Sequence, residues 1–327
     1  MKTSRRIFLL GTVVALFAGI SLAQFRRGGG GFWRGGNVGP IVRTEGGDLV
    51  NEDTVRTARE TASHSTGTPD WTNPPAFAKD VFTFTRIIYK FSPNGSNPRV
   101  SYTSSPWGWI TDYPDSDLNF SFRLQQVTSM KVDPDGRELK LTDPALFDYP
   151  FIYMVEPGRM VLRDEEVPIL RKYLLNGGVL WVDDFWGQKQ WDNMEYEVRR
   201  ALPEYQFCDL NTNHPIFHCV FDLRVPLNKL QTPNMPQGAR SLRPGSRDYG
   251  ITWEYYHDDG GNGESARDMH VRVMLDDKGR IMVIGTHNCD MGDSWERQGE
   301  DDAFFHEFSE KRGFPLGINI IFYLMTH

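Results

Sequence analysis

The sequence is short of cysteine. Only Cys208, Cys219 and Cys289 occur in 327 residues. None lies in a CxxC pair, which argues against a zinc–thiolate centre, and an odd count of three makes no disulfide framework. They read as small buried hydrophobes, with a Cys208–Cys219 bridge across a short connection as the alternative. Positive charge is also in deficit, with 36 Lys and Arg against 43 Asp and Glu. Nothing basic and extended is present to neutralise phosphates, so nucleic acid is not an expected partner. Long apolar runs are missing after the first two dozen residues, so no transmembrane helix is expected once the leader is removed. Aromatic residues, by contrast, are plentiful: nine Trp and 21 Phe. Such side chains fill large cores, and they also stack on sugars and peptides.

The leader is the sharpest local signal. Lys2, Arg5 and Arg6 precede an uncharged stretch, Ile7 to Ala23, which ends in Ser21-Leu22-Ala23. Small residues at those positions suit a signal peptidase, so residues 1–23 are expected to be an export signal cleaved after Ala23. Ser4-Arg5-Arg6-Ile7-Phe8-Leu9 resembles the twin-arginine type, although Leu10 stands where Lys is usual. An ordinary secretory signal and an uncleaved anchor are the alternatives. The expected location is periplasmic or extracellular. Residues 24–79 open with "FRRGGGGFWRGGNVG" and continue polar with scattered Pro, Gly, Ser and Thr. That composition predicts a disordered linker, with one short helix near Asp53 to Ala62. The folded domain is then expected to span residues 80–327.

Within that domain, "VFTFTRIIYKF" reads as a strand, followed by the loop "SPNGSNP" and a helix in "PDSDLNFSFRLQQVTSM". "YPFIYMVEPG" is a short buried strand ending at Glu156. "RDEEVPILRKYLLNGG" is a helix capped by Asp164, with Val167, Leu170 and Leu174 facing inward and Gly177 at its left-handed end. "VLWVDD" is the next strand. A second helix follows, capped by Asp192, with Met194, Val198 and Leu202 facing in. "HVRVMLDDKGRIMVIGTHN" is a hairpin turning at Asp276 to Gly279. "CDMGDSWERQGEDD" reads as an acidic loop, and "FPLGINIIFYLMTH" as a closing helix. Strands alternating with helices over short connections mean a parallel sheet covered on both faces.

Ligands in such sheets bind beyond the carboxyl ends of the strands. Glu156, Asp183 and Asp184 fall at such ends, and Phe185 and Trp186 come directly after. These five, with Arg123 on the first helix as a partner for a cleft carboxylate, are the candidate ligand-binding and catalytic positions. Neighbouring strand residues point to opposite faces, so Asp183 and Asp184 share a cavity only if the chain has already turned. The plain reading is that both merely end the strand. His287, Asp290, Asp293 and Glu296 in the acidic loop offer oxygen and imidazole ligands for a divalent metal; the plain reading there is a solvated loop. His214 and His218 are four apart, but Pro215 spoils helical ligand spacing. Trp107, Trp109, Trp186 and Trp191 flank loops, either walling a groove or packing the core.

Together, "LTDPALFDYPFIYMVEPG", "LRKYLLNGGVLWVDDFWG", "GTHNCDMGDSWE" and "LGINIIFYLMTH" resemble a bacterial family, the domain of unknown function 4159, over about Asp80 to His327. The resemblance implies an α/β fold of the flavodoxin-like, class I glutamine amidotransferase-like type: a parallel sheet sandwiched by helices. In active amidotransferases a cysteine sits on a tight strand-to-helix turn and a histidine at the end of a later strand activates it. The matching turn here is Trp181 to Phe185, which holds neither Cys nor Ser, while His287 takes the histidine's place. A nucleophile must lie within hydrogen-bond reach of its base, and Cys289 is on the wrong element, so glutamine hydrolysis is not expected. The expectation is a non-catalytic ligand- or protein-binding module of the cell envelope, its partner an envelope protein or a glycan. The alternative is a hydrolase that acts on a carbohydrate or peptide-like substrate through carboxylates and His287, with or without a divalent metal.

Overall fold

Nine strands and seven α-helices are found among the residues described by the computed structural model: 40–77, 80–90, 108–257 and 264–327. The export leader, the first part of the expected linker and the loop "SPNGSNP" lie outside these residues. So does Trp107.

β-Branched and aromatic runs supply a seven-stranded sheet. Its members are β3 (Thr85–Ile87), β4 (Arg137–Leu139), β5 (Phe151–Val155), β6 (Val179–Phe185), β7 (Phe207–Asp209), β8 (His270–Leu275) and β9 (Ile281–His287). The order across the sheet is β4-β3-β5-β6-β9-β8-β7. The first five run parallel; at one side β8 runs opposite to them, paired antiparallel with β9 and with the edge strand β7. Numbered among themselves, the parallel strands read 2-1-3-4-5, an order consistent with flavodoxin-like α/β sheets. β5, β6 and β9 are buried on both faces. This explains their near-continuous apolar sequences.

Helices α2 (Glu166–Leu175) and α3 (Gly187–Ala201) cover one face, through Leu170, Leu174, Met194 and Val198. The other face is covered by α1 (Asp115–Val127) and by the C-terminal helix, through Phe120, Leu124, Ile318 and Ile321. After α3 the chain adds α4 (Met235–Ser241), α5 (Met291–Glu296), the single turn α6 (Asp302–Phe304), a π-helical stretch Phe305–Gly313 and α7 (Phe314–Thr326), the C-terminal helix. α3 starts at Gly187 instead of Asp192, because the chain turns directly out of β6. The acidic stretch after Cys289 is not a solvated loop. Met291 to Glu296 forms α5, and all six residues are buried. Of the closing helix, Ile318 and Ile321 are buried, whereas Phe322 and Met325 are only partly so.

The expected disordered linker is corrected for residues 40–77. This segment is a strap lying on the domain. β1 (Ile41–Arg43) and β2 (Leu49–Asn51) pair antiparallel, and the expected helix is a single 3-10 turn, Ala58–Glu60. Val42, Val50, Val55 and Ala58 join the core. Arg59 donates to the carbonyls of Pro134, Thr68 and Pro69. Polar anchoring of this kind leaves little hydrophobic periodicity to read. Packing therefore begins well before Asp80.

One buried acid is expected to make the stability of the fold depend on pH. Glu138 of β4 is 1% exposed, and neither carboxyl oxygen has a hydrogen-bond partner among the described residues. Burial first, and then the negative charge of Asp117, push its pKa well above the usual carboxylate range. Near pH 4 both folded and unfolded chains hold this proton, and there is no penalty. At higher pH the unfolded chain releases it and the folded chain does not, so stability falls as pH rises. Each unit of separation between the two pKa values is worth about 1.4 kcal/mol. Glu138→Gln is expected to match the parent near pH 4 and to exceed it in urea unfolding at pH 8. Parallel pH profiles for the two proteins would show that Glu138 is not the source.

Candidate functional site

Among the described residues, four other than glycine adopt left-handed backbone: Asp112 (φ 62°), Glu156 (φ 49°), Asp184 (φ 54°) and Asn288 (φ 59°). Glu156 follows β5, Asp184 is the next-to-last residue of β6, at a break in its register with β9, Asn288 follows β9, and Asp112 lies on the segment between β3 and α1. Such conformations cost on the order of 1–3 kcal/mol each and gather at sites where the chain must aim a side chain. Here they gather at the carboxyl ends of the central strands.

The left-handed turn at Asp184 separates the two aspartates. Asp183 is fully buried. It accepts hydrogen bonds from the Tyr153 hydroxyl (2.9 Å), the Met291 amide (3.1 Å) and the Thr286 hydroxyl. Burial pushes its pKa up to about 7, against those hydrogen bonds. It is a strut that ties β5, β6 and β9 to the start of α5. Asp184 instead opens onto a cleft of about 410 Å³, its Oδ1 taking the Trp186 indole N–H at 3.0 Å.

The cleft is lined by seven carboxylates: Asp112, Glu156, Asp184, Glu254, Asp290, Asp293 and, from the strap, Glu45. Three guanidiniums, of Arg159, Arg240 and Arg297, also line it. Most of these groups are fixed by specific bonds. Asp290 caps α5 by accepting from the Asp293 amide at 2.8 Å. Asp293 accepts from the Met235 amide (2.6 Å) and from Arg297 Nε (2.7 Å). Glu156 accepts from the Gly108 amide at 3.0 Å, and Glu254 from the Asn234 amide at 2.7 Å. Asp112 is held through its neighbours, since the buried Arg86 donates to the carbonyls of Trp109 and Thr111, both at 2.9 Å.

Asp112, Asp184 and Asp290 all have pKa values raised well above the usual range. Burial is the main cause for each. The next causes are Glu296 and Asp293 for Asp112, Glu254 and Glu156 for Asp184, and Asp184 and Asp293 for Asp290. Desolvation and like-charge repulsion act together here.

The other sequence candidates divide. Glu156, Trp186, Asp290 and Asp293 line the cleft with Asp184. Glu296 is buried beside it, paired with His64 and Arg297. His287 does not line the cleft. It is wedged among Phe185, Trp191 and His270. Its Nδ1 accepts from Arg272 (3.2 Å), since arginine only donates, so Nε2 carries the proton and donates to the Gly187 carbonyl at 3.0 Å. Burial and the Arg272 charge hold its pKa well below the usual histidine value. Phe185 is core, stacked on Trp191, and Arg123 lies over the Phe314 ring at 5.2 Å, outside the cleft. Trp109 and Trp191 are core residues too. The three cysteines are free, and Cys289 is buried against the Thr232 hydroxyl with its thiol pushed up to about 12 by burial. Sequence reasoning missed Asp112, Glu254, Glu45 and the cleft arginines, none of which follows a strand in an apolar-to-acid pattern.

Fold and site together define an α/β protein with a carboxylate-lined cleft at the carboxyl edge of its parallel strands. The model of the family described as "Domain of unknown function (DUF4159)" matches residues 98–325, more than half of the sequence, and the chain belongs to that family. The chain matches no curated protein. Among the described residues, no helix is long and apolar enough to cross a membrane.

Proposed function

We propose that this is an exported, non-catalytic binding module of the cell envelope, on a class I glutamine amidotransferase-like scaffold, whose cleft takes a positively charged ligand. The observation that carries this reading is the make-up of the lining: seven carboxyl groups against three guanidiniums, with Asp112, Asp184 and Asp290 kept from ionising by burial and mutual repulsion, both of which an arriving positive charge offsets. Clefts lined by one sign of charge concentrate ligands of the other. The scaffold reading is supported by the order of the parallel strands and by the left-handed Asp184 at the turn from β6 into α3. In active relatives of that scaffold this turn carries the nucleophile; aspartate cannot replace a thiol there. The placement of His287 counts against a carboxylate–histidine hydrolase, because both of its ring nitrogens are engaged away from the cleft.

Spermidine and divalent cations are expected to raise the melting temperature of the purified protein at neutral pH and low salt, while sulfate and citrate leave it unchanged. Stabilisation by the anions alone would overturn the reading.

A further inference from the structure

We propose that Asp112, Asp184 and Asp290 together bind one divalent cation. This deepens the reading of the cleft as a site for positive charge, on which it rests, by naming the ligand class and the ligating residues.

The geometry comes first. One oxygen from each of the three carboxylates lies within 4.8 Å of the others. Oxygens sit about 2.0–2.6 Å from Mg²⁺ or Ca²⁺, so those sharing one ion are separated by about 3–5 Å. The three groups therefore stand at the spacing of a common coordination sphere. Two are aimed by left-handed backbone, at Asp112 and Asp184, and the third by its cap on α5.

The second observation is independent of the clustering. Asp112 lines the cleft yet is only 2% exposed, and its Oδ2 has no hydrogen-bond partner among the described residues. A buried carboxylate oxygen without a donor is costly unless something fills its lone pairs.

The third is a contrast with the neighbouring acids. Asp112 also forms a group with Asp293 and Glu296, and Glu296 forms another with Glu45 and His64. Those groups already hold positive charge. Arg297 Nε is 2.7 Å from Asp293 and 2.9 Å from Glu296, and its Nη2 reaches Glu45. His64 contacts Glu296. No Lys, Arg or His among the described residues pairs with Asp112, Asp184 or Asp290. The molecule neutralises Asp293, Glu296 and Glu45 with its own side chains and leaves Asp112, Asp184 and Asp290 to be neutralised from outside.

The donor set selects the ion. Three carboxylates with no imidazole or thiolate favour Ca²⁺, Mg²⁺ or Mn²⁺ over Zn²⁺ or Cu²⁺. Three protein ligands leave the remaining positions to water or to a ligand oxygen.

The test is calorimetric titration of the chelator-dialysed protein with Mn²⁺ and Ca²⁺, beside Asp112→Asn, Asp184→Asn, Asp290→Asn and, as control away from the cleft, Glu204→Gln, whose carboxylate pairs with Arg171 on the surface. One ion per chain is expected, weakened at least about tenfold in each of the three Asn variants and little changed in the control. The Asn variants remove like-charge repulsion, so without added ion they should melt at or above the parent temperature; this separates lost binding from lost folding. If spermidine binds and no metal does, the metal site is overturned and the cationic-ligand reading stands. Undiminished metal binding in all three Asn variants also overturns it. If neither spermidine nor metal binds, both readings fall.

Discussion

Arg86→Leu is expected to destabilise the protein by about 3–5 kcal/mol, the range for breaking one side of a buried ion pair. Arg86 is fully buried. Its guanidinium meets Asp117 at 2.9 Å, the Ser116 hydroxyl at 2.9 Å, and the two carbonyls that flank the turn to Asp112. It also lies 5.3 Å from the Tyr153 ring centre. Leucine leaves Asp117, 1% exposed, as a buried charge without a counter-ion. It also frees the segment that presents Asp112, so cation affinity should fall along with stability. Urea unfolding checks the first effect and titration with Mn²⁺ the second. Arg86→Lys keeps the charge but not the fork that reaches four partners, and should fall between. The double variant Arg86→Leu, Asp117→Leu should be more stable than Arg86→Leu alone, because no charge is stranded. A loss below about 1 kcal/mol for Arg86→Leu would place the pair among those that contribute little.

Gly292→Ala should damage the cleft more directly. A Cβ on Gly292 would stand 1.9 Å from Asp112 Oδ2 and 2.9 Å from its Cγ. Neither side can yield easily, since Gly292 is inside α5 and Asp112 is on a left-handed turn. The carboxylate must leave its place, with overpacking of this kind costing about 1–3 kcal/mol. Expected results are a lowered melting temperature and loss of cation binding. Asp112→Gly on top of Gly292→Ala removes the clash and suits the positive φ, so it should restore melting without restoring binding. Normal Mn²⁺ affinity in Gly292→Ala would mean that Asp112 is not a ligand.

Much of the sheet was legible. β5, β6 and β9 are apolar runs bounded by turn residues, and Asp276 to Gly279 marks the hairpin. These signals depend only on local pattern. The strap was not legible, because four apolar residues at irregular spacing, Val42, Val50, Val55 and Ala58, carry its packing. The rest is held by polar groups reaching distant carbonyls and acids, such as the Ser63 hydroxyl and the His64 amide on Asp115. α5 was misread for a related reason: its acids are buried by capping and by Arg297, which composition does not reveal. At the site, strand ends gave Glu156 and Asp184, and the acidic stretch after β9 gave Asp290. They could not say which way His287 points, since that depends on Arg272 from the neighbouring strand. Nor could they supply Asp112, whose place is fixed by Arg86 a whole element earlier in the chain.

β3 has a consequence for how chains of this kind are divided into modules. Recognisable family similarity starts at residue 98, after β3 has already passed through the sheet as its second strand from one edge. A fragment trimmed to the recognisable part would have to close β4 onto β5 across a missing strand. It would also inherit Asp117 without Arg86, and lose the strap that brings Glu45 to the cleft. The limit of sequence similarity is thus not a seam of the molecule, and a module boundary drawn there would cut the sheet one strand in from its edge.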